Sequence, residues 1–325
     1  MTGLTVGVDV GGSKVLAVLA DAEGAVHAEA RHATPPHEDA PGVVVADTVA
    51  GAIDDLAREA GRELDGLPVG VGLPGMLDRD GVLAVSPNLP SASGADMAAV
   101  LAARLGGRAV VLANDADAAA VAEHRLGAAR GVDEFVLVTL GTGIGGGLVV
   151  DGRLLRGAHG YAGEIGHVVV DPSGPRCPCG RRGCWERYAS GAGVARLARE
   201  AAVSGRLASL VAEVGDPEAV RGEDVTHAAA AGDREALAVL DEVGWWLALG
   251  LANLAAILDP GLFVLGGGLV EVSTLLLPPT RRHLAGHLEG GERRGVVDVV
   301  AAELGTRAGA IGASLLAADA ERGPA

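Results

Sequence analysis

The chain is short of aromatic rings. Phe, Tyr and Trp make up 2 % of its 325 residues, which excludes a core of stacked rings and leaves Ala, Val and Leu to fill the interior. It is equally short of lysine: Lys14 is the one lysine, and every other basic residue is arginine. There are three cysteines, all between Cys177 and Cys184. An odd number bunched in one stretch is no disulfide framework and fits metal ligation or reduced thiols. Positive charge is outweighed, with 26 Lys+Arg against 42 Asp+Glu and a formal charge of −16. Such a chain is a poor binder of nucleic acid or of an anionic membrane, so an anionic substrate needs a local positive site. No unbroken apolar run of about 18 residues occurs, and no membrane span is expected. Met1–Val10 lacks the basic start of a signal peptide and alternates like a strand, so the expected location is the cytoplasm.

What is there suits a two-lobed α/β protein. Hydrophobic residues reach 49 %, enough for two cores at this length. The 51 glycines cluster at strand ends rather than repeating. Strands are predicted at Leu4–Val10, Lys14–Ala20, Ala25–His32, Val69–Leu73, Ala109–Ala113, Phe135–Leu140, Leu148–Val150 and Leu262–Leu265. Helices are predicted at Val43–Ala60, Met97–Leu105, Asp117–Leu126, Gly193–Ala202, Arg234–Ile257 and Ala308–Ala320. The stretch from Phe135 repeats the opening pattern of strand, glycine turn, strand and turn. Asp9 and Thr139 hold equivalent places at the end of the leading strand, so the chain reads as a duplicated unit.

Five motifs carry chemistry. Asp9-Val10-Gly11-Gly12-Ser13-Lys14 lets backbone N–H groups approach phosphate oxygens and adds one point charge. A strand follows it rather than a helix, so it is no Walker A loop; an ordinary tight hairpin is the other reading. Gly141-Thr142-Gly143-Ile144-Gly145-Gly146-Gly147 reads as a second glycine-rich turn, where glycine at this density points to backbone lying close to a ligand. Asn114-Asp115 ends a strand just before a helix. One of the pair can cap the helix while the other orients a hydroxyl and takes its proton. His167 with Cys177, Cys179 and Cys184 forms a Cys₃His set suited to a closed, structural zinc. Glu164 and Glu186 flank that set, and two carboxylates beside an imidazole suit vicinal sugar hydroxyls.

These motifs together resemble the ROK family of bacterial sugar kinases and repressors, its glucokinase branch in particular. The most specific strings are DVGGSK at 9–14, ND at 114–115, GTGIGGG at 141–147, GEIGH at 163–167 and CPCGRRGCWE at 177–186. Ser13 stands where the family usually has threonine, and the hydroxyl is kept. The resemblance implies the sugar kinase/actin/Hsp70-like (ribonuclease H-like) fold, two α/β lobes with a central cleft. The small lobe would be 1–113 with the C-terminal helix 308–325, and the large lobe 114–307 with the zinc-binding loop. The implied activity is transfer of the γ-phosphate of ATP to the 6-hydroxyl of D-glucose, with ATP, Mg²⁺ and a structural Zn²⁺. Asp115 is then the catalytic base. Asn114, Glu164, His167 and Glu186 bind the sugar, and Gly75 and Asn88 match positions near it. Asp9 faces Mg²⁺. Gly11, Gly12, Ser13, Lys14, Thr142, Gly143, Gly145 and Gly146 hold the phosphates, and Gly266, Gly267 and Gly268 lie by the adenosine. His167 serves sugar and zinc together, with Cys177, Cys179 and Cys184 completing the metal site.

N-acetylmannosamine or fructose as acceptor and polyphosphate as donor remain alternatives, and a homodimer or homotetramer is expected from relatives. A sugar-responsive ROK regulator is less favoured, because the phosphate hairpin starts at Asp9 and the charge is wrong for DNA.

Overall fold

The structure is a computed structural model and describes residues 3–36, 40–269, 273–295 and 297–322. The chain opens with strands β1 (Thr5–Val10), β2 (Lys14–Ala20) and β3 (Val26–Ala33), helix α1 (Gly42–Ala60) and strand β4 (Val69–Leu73). Short strands β5 (Met76–Leu77), β6 (Val82–Val85) and β7 (Ala95–Asp96) follow, then α2 (Met97–Arg104), β8 (Val110–Asn114) and α3 (Asp115–Leu126). Next come β9 (Phe135–Leu140), β10 (Ile144–Val150) and β11 (Arg153–Leu154). A helical stretch holds α4 (Glu186–Ala189), α5 (Gly191–Val203), α6 (Ala208–Val214), α7 (Gly222–Ala230) and α8 (Arg234–Leu258). The chain closes with β12 (Leu262–Gly266), α9 (Ser273–His287), β13 (Asp298–Ala301) and α10 (Ala308–Arg322).

Two five-stranded sheets share one plan. The first has the order β3-β2-β1-β4-β8. There β1 pairs antiparallel with β2, and β2 with β3, while β4 and β8 continue parallel to β1. The second has the order β11-β10-β9-β12-β13, with β9, β12 and β13 parallel. Strand β9 thus takes the place of β1. Register carries the equivalence down to single residues: Asp9 lies opposite Gly72, and Thr139 lies opposite Gly266.

By contacts the chain forms two compact units, 1–133 with 147–163 and 303–325, and 134–146 with 164–302. In the first unit, α1 buries Val45, Val49, Ile53 and Leu56, the face its 3.6-residue spacing predicts, against β2 and β3. Helix α10 lies on β1, β4 and α3. It comes so close that a Cβ at Gly7 or Gly70 would overlap the carbonyl of Ala310 or Ala313. A chain poor in large rings fills this interior by bringing backbones together through glycine and alanine. Contact of α3 with α10, β4 and β8 counts residues 114–133 with the first unit.

In the second unit α8 is the central helix. It buries Val239, Leu240, Val243, Leu247 and Leu251 and touches α5, α7 and α9. Among the described residues it is the one helix long and apolar enough to cross a membrane, although no unbroken apolar run marks it in the sequence. Its buried face among neighbouring helices is that of a core helix.

Two expectations are corrected here. The glycine-rich stretch 141–147 is a turn only up to Gly143, and β10 starts at Ile144. Gly147 is a strand residue against α3: a Cβ there would overlap Ala120 and stand 2.8 Å from the Ala116 carbonyl. Helix α3 starts at Asp115 rather than Asp117, because Asn114 supplies the cap two residues earlier.

Candidate active site

The candidate residues fall into two groups, one in each unit. In the first, the β1–β2 turn is closed by Gly11 N–H donating to the Lys14 carbonyl at 2.9 Å. Neither Gly11 nor Gly12 has positive φ, so glycine supplies room here rather than an unusual backbone. Gly12 and Ser13 are exposed. Thr34 braces the turn from β3's end: its Oγ1 donates to the Gly11 carbonyl at 2.7 Å and its N–H to the Ser13 carbonyl at 3.2 Å. Asp9, just before the turn, has its carboxyl pushed up to about 6 by burial, against a lowering from the Lys14 charge. Gly72 connects the next group. A Cβ there would stand 3.7 Å from Asp9 Oδ1 and 3.5 Å from the Cα of Asp115.

Asn114 caps α3, its Oδ1 accepting from Ala116 N–H at 2.8 Å and Asp117 N–H at 3.1 Å. Its Nδ2 donates to the Gly75 carbonyl at 3.1 Å. Both ends of the amide are therefore engaged by backbone, which fixes the strand–helix junction carrying Asp115. Asp115 Oδ1 accepts from Ala116 N–H at 2.9 Å. Gly75 has φ +116°, and a Cβ would run into Val85 and Ser86. Buried Ser86 ties that loop down, its Oγ donating to the Pro74 carbonyl at 2.6 Å and accepting from Leu89 N–H at 3.1 Å. Asn88 is thereby held beside Gly12, whose Cβ would be 3.7 Å from the Asn88 Cγ. Residues far apart in sequence, Asp9, Gly12, Gly75, Asn88, Asn114 and Asp115, are neighbours through this chain of contacts.

In the second group, Cys177 N–H donates to the Arg181 carbonyl at 2.8 Å and Gly180 N–H to the Cys177 carbonyl at 3.0 Å. This tight knuckle leaves Cys177 and Cys184 buried and Cys179 exposed. His167, Cys177, Cys179 and Cys184 have ligand atoms all within 4.8 Å of one another. Two edges of the set are Cys177 Sγ to His167 Nδ1 at 3.7 Å and Cys179 Sγ to Cys184 Sγ at 3.6 Å. A tetrahedron with metal–sulfur bonds of about 2.3 Å has edges of about 3.8 Å, so the four groups have the dimensions to hold one metal ion. Burial and the Glu186 carboxylate push the Cys177 thiol far up. At Cys179 burial opposes ionisation, but hydrogen bonds from the Arg181 backbone and the neighbouring thiols bring it down to about 7.

Glu164 and Glu186 bracket His167. Its Nε2 lies 3.8 Å from Glu164 Oε2, and its Nδ1 lies 3.7 Å from Glu186 Oε1. One ring nitrogen thus faces the thiols and Glu186 while the other faces Glu164. Burial raises the Glu164 carboxyl, with the nearby Glu186 charge adding to the shift. The turn carrying these groups presses on β10, since a Cβ at Gly166 would overlap the Ile144 carbonyl. Gly266 is buried at the end of β12, and exposed Gly267 lies on Leu140, directly before the Gly141 turn.

Comparison with known proteins decides what this arrangement belongs to. The ROK family model matches residues 5–320. A glucokinase of Streptomyces coelicolor is 37 % identical over 97 % of this chain and 98 % of its own. The chain belongs to the ROK family. Its fold is that of solved ROK proteins. A ROK glucokinase from Streptomyces griseus, in complex with glucose and AMPPNP, has a TM-score of 0.87 and 36 % identity, covering 99 % of this chain and all of that one. A ROK hexokinase from Thermus thermophilus has a TM-score of 0.74 and 36 % identity, covering 96 % of this chain and 97 % of that one.

The ROK motifs locate the groups above but miss their supports. Thr34 and Ser86 lie in segments with no motif. Trp185 is 1 % exposed and donates its Nε1–H to the Trp246 carbonyl at 2.8 Å, anchoring the cysteine loop to α8. Tyr188 stacks on Trp246 and donates to Asp171 Oδ2 at 2.7 Å. In a chain with so few rings, Trp185 and Tyr188 just after Cys184 were the sign in the sequence, while their partner Trp246 is supplied by the fold.

Proposed function

We propose that the chain is an ATP-dependent glucokinase, moving the γ-phosphate of ATP to the 6-hydroxyl of D-glucose. The observation that carries this reading is His167 facing the thiols with one ring nitrogen and Glu164 with the other, with Glu186 alongside. Two acceptors and an imidazole held by a cross-linked loop suit the adjacent hydroxyls of a pyranose. Full-length similarity to glucokinases supports the same reading.

In this reading Asp115 orients the 6-hydroxyl and accepts its proton as the phosphoryl group transfers. Its place at the start of α3 favours negative charge there. Asn114, Glu164, His167 and Glu186 hold the ring, with Gly75 and Asn88 beside it. Gly11, Gly12, Ser13 and Lys14 bind phosphate oxygens, as do Thr142, Gly143, Gly145 and Gly146. Gly266, Gly267 and Gly268 take the adenosine. A loose phosphoryl transition state needs alignment and charge neutralisation more than covalent help, and backbone N–H groups with one lysine supply both. Mg²⁺, when bound near Asp9, adds charge neutralisation on the phosphates. Zn²⁺, when bound by His167, Cys177, Cys179 and Cys184, holds the Glu164 and Glu186 segments together and leaves no open ligand position.

The lobes 1–113 with 308–325 and 114–307, a cytoplasmic location and a homodimer or homotetramer belong to the same proposal. The test is a coupled assay of the purified protein against glucose, fructose, mannose and N-acetylmannosamine, each with ATP and with polyphosphate. Glucose with ATP is expected to give the highest kcat/KM. A higher value for another pair replaces the substrate assignment, and no turnover with any pair overturns the kinase reading.

A further inference from the structure

The turn assigned to phosphate and the carboxylate assigned to sugar touch within one unit. A Cβ at Gly143 would stand 2.7 Å from Glu186 Oε2 and 3.8 Å from its Cδ. Gly143 does not have positive φ, so a side chain at this position meets the Glu186 carboxylate rather than a backbone restriction. The other end of the turn is seated on the same segment. Gly141 accepts from Gly191 N–H at 2.8 Å, and a Cβ at Gly191 would be 2.9 Å from that same carbonyl oxygen. Glu186 and Gly191 are the first residues of α4 and α5. Ser190 ties the two helices, donating from Oγ to the Glu186 carbonyl at 2.6 Å and accepting from Gly193 N–H at 3.2 Å.

Glu186 is gripped from its opposite side as well. Its Oε1 lies 3.7 Å from His167 Nδ1 and 3.0 Å from Cys177 Sγ, whose thiol donates to it only while no metal has displaced the proton. One carboxylate therefore has one oxygen against the sugar-side cluster and the other under the phosphate-side turn. A displacement of either side is passed on as a displacement of the Glu186 carboxylate, since the two cannot occupy the same space.

We propose that Glu186 and Gly143 form a positioning contact that couples sugar binding to phosphate binding, each ligand tightening the other. The inference rests on the glucokinase reading and names how its two substrates communicate. The coupling is reciprocal, as any linkage between two binding equilibria must be. It runs through the order of the Gly141–Gly143 turn: phosphate contacts that settle the turn also settle Oε2, and a sugar hydroxyl that holds the carboxylate steadies the turn.

The test is calorimetric titration of the metal-loaded protein. In the parent, saturating Mg²⁺–AMPPNP lowers the glucose Kd severalfold, and glucose lowers the AMPPNP Kd by the same factor. In Gly143→Ala the new methyl meets the flexible end of Glu186, so melting temperature and zinc content stay at parental values. The glucose Kd measured with no nucleotide present then rises about tenfold, although the change lies on the phosphate turn. Glu186→Asp weakens AMPPNP binding in the absence of glucose. The double variant is less impaired in glucose binding than the two single effects combined, because the shorter acid makes room for the methyl. The proposal is overturned if Gly143→Ala binds glucose within about twofold of the parent without nucleotide. It is overturned equally if Glu186→Asp leaves nucleotide binding unchanged, and that arm decides alone should Gly143→Ala fail to fold. A parent that binds no glucose fails the glucokinase reading itself, a result distinct from a parent that binds both ligands without coupling.

Discussion

The carboxylate of Asp9 lies against Gly309, so closely that a Cβ at position 309 would stand 2.7 Å from its Cγ and 2.9 Å from each oxygen. Gly309 is in the first turn of α10. The acid is thus enclosed by a helix contributed from the far end of the chain, and that enclosure raises its pKa from 3.8 to about 6.

A stability change with pH follows. An acid whose folded pKa is raised favours the neutral form in the fold. Its contribution is fully present below about pH 4 and is lost as pH rises through about 6. At pH 7.5 the ionised Asp9 therefore costs stability, on the order of 2 kcal/mol. Asp9→Asn is expected to melt a few degrees higher than the parent at pH 7.5 without ligands, with the gap closing toward pH 4, and to lose most kinase activity. Thermal scans across pH check this. A variant that melts below the parent at pH 7.5 contradicts it.

Asp115→Asn keeps the side-chain shape and removes the charge and proton acceptor. Glucose binding is expected to persist while kcat falls about 10²–10⁴-fold. Turnover within about tenfold of the parent shows that the proton goes elsewhere.

Lys14→Ala removes the one ammonium at the β1–β2 turn, which also acts on Asp9. A higher KM for ATP and a lower kcat are expected, with the glucose Kd barely changed. Steady-state kinetics with each substrate varied in turn separates the two, and parental ATP kinetics would make the turn a plain hairpin.

One zinc per chain is expected by elemental analysis. Cys179→Ser should lower metal content, raise the glucose KM and lower the melting temperature together, because the loop then no longer holds Glu164 by Glu186. Protein purified without zinc excludes the metal. Zinc loss with an unchanged glucose KM separates the metal from the sugar site.

Glu123 is fully buried in α3 and accepts from three backbone N–H groups: Ala128 at 2.9 Å, Glu303 at 3.1 Å and Leu304 at 2.8 Å. Glu123→Ala leaves those donors unpaired and should destabilise the fold by about 3 kcal/mol or more. The glucose KM of the folded fraction should not move. Urea denaturation alongside kinetics reads both, and a parental urea midpoint would show that water replaces the carboxylate without loss.

The parts of this protein written in its sequence are those held by near neighbours along the chain. The Cys-Pro-Cys-Gly-Arg-Arg-Gly-Cys knuckle, the glycine-tipped β1–β2 turn and the Asn114 cap all close within about ten residues, so residue type and spacing determine them. The duplicated strand–turn–strand pattern also announced the matching sheets, since strand periodicity is a local property. Helix α9 was hidden because Pro278 and Pro279 lie inside it, and proline ordinarily reads as a break. Its place is set by contact with α8, where Gly244 leaves room for the Pro279 ring. The seat of Gly143 on Glu186, the brace of Thr34 under Gly11 and the enclosure of Asp9 by Gly309 have no local signal at all. Each joins segments between 23 and 300 residues apart. Which faces meet across such distances is decided only when the strands and helices bury their apolar sides together, and that choice belongs to the tertiary structure.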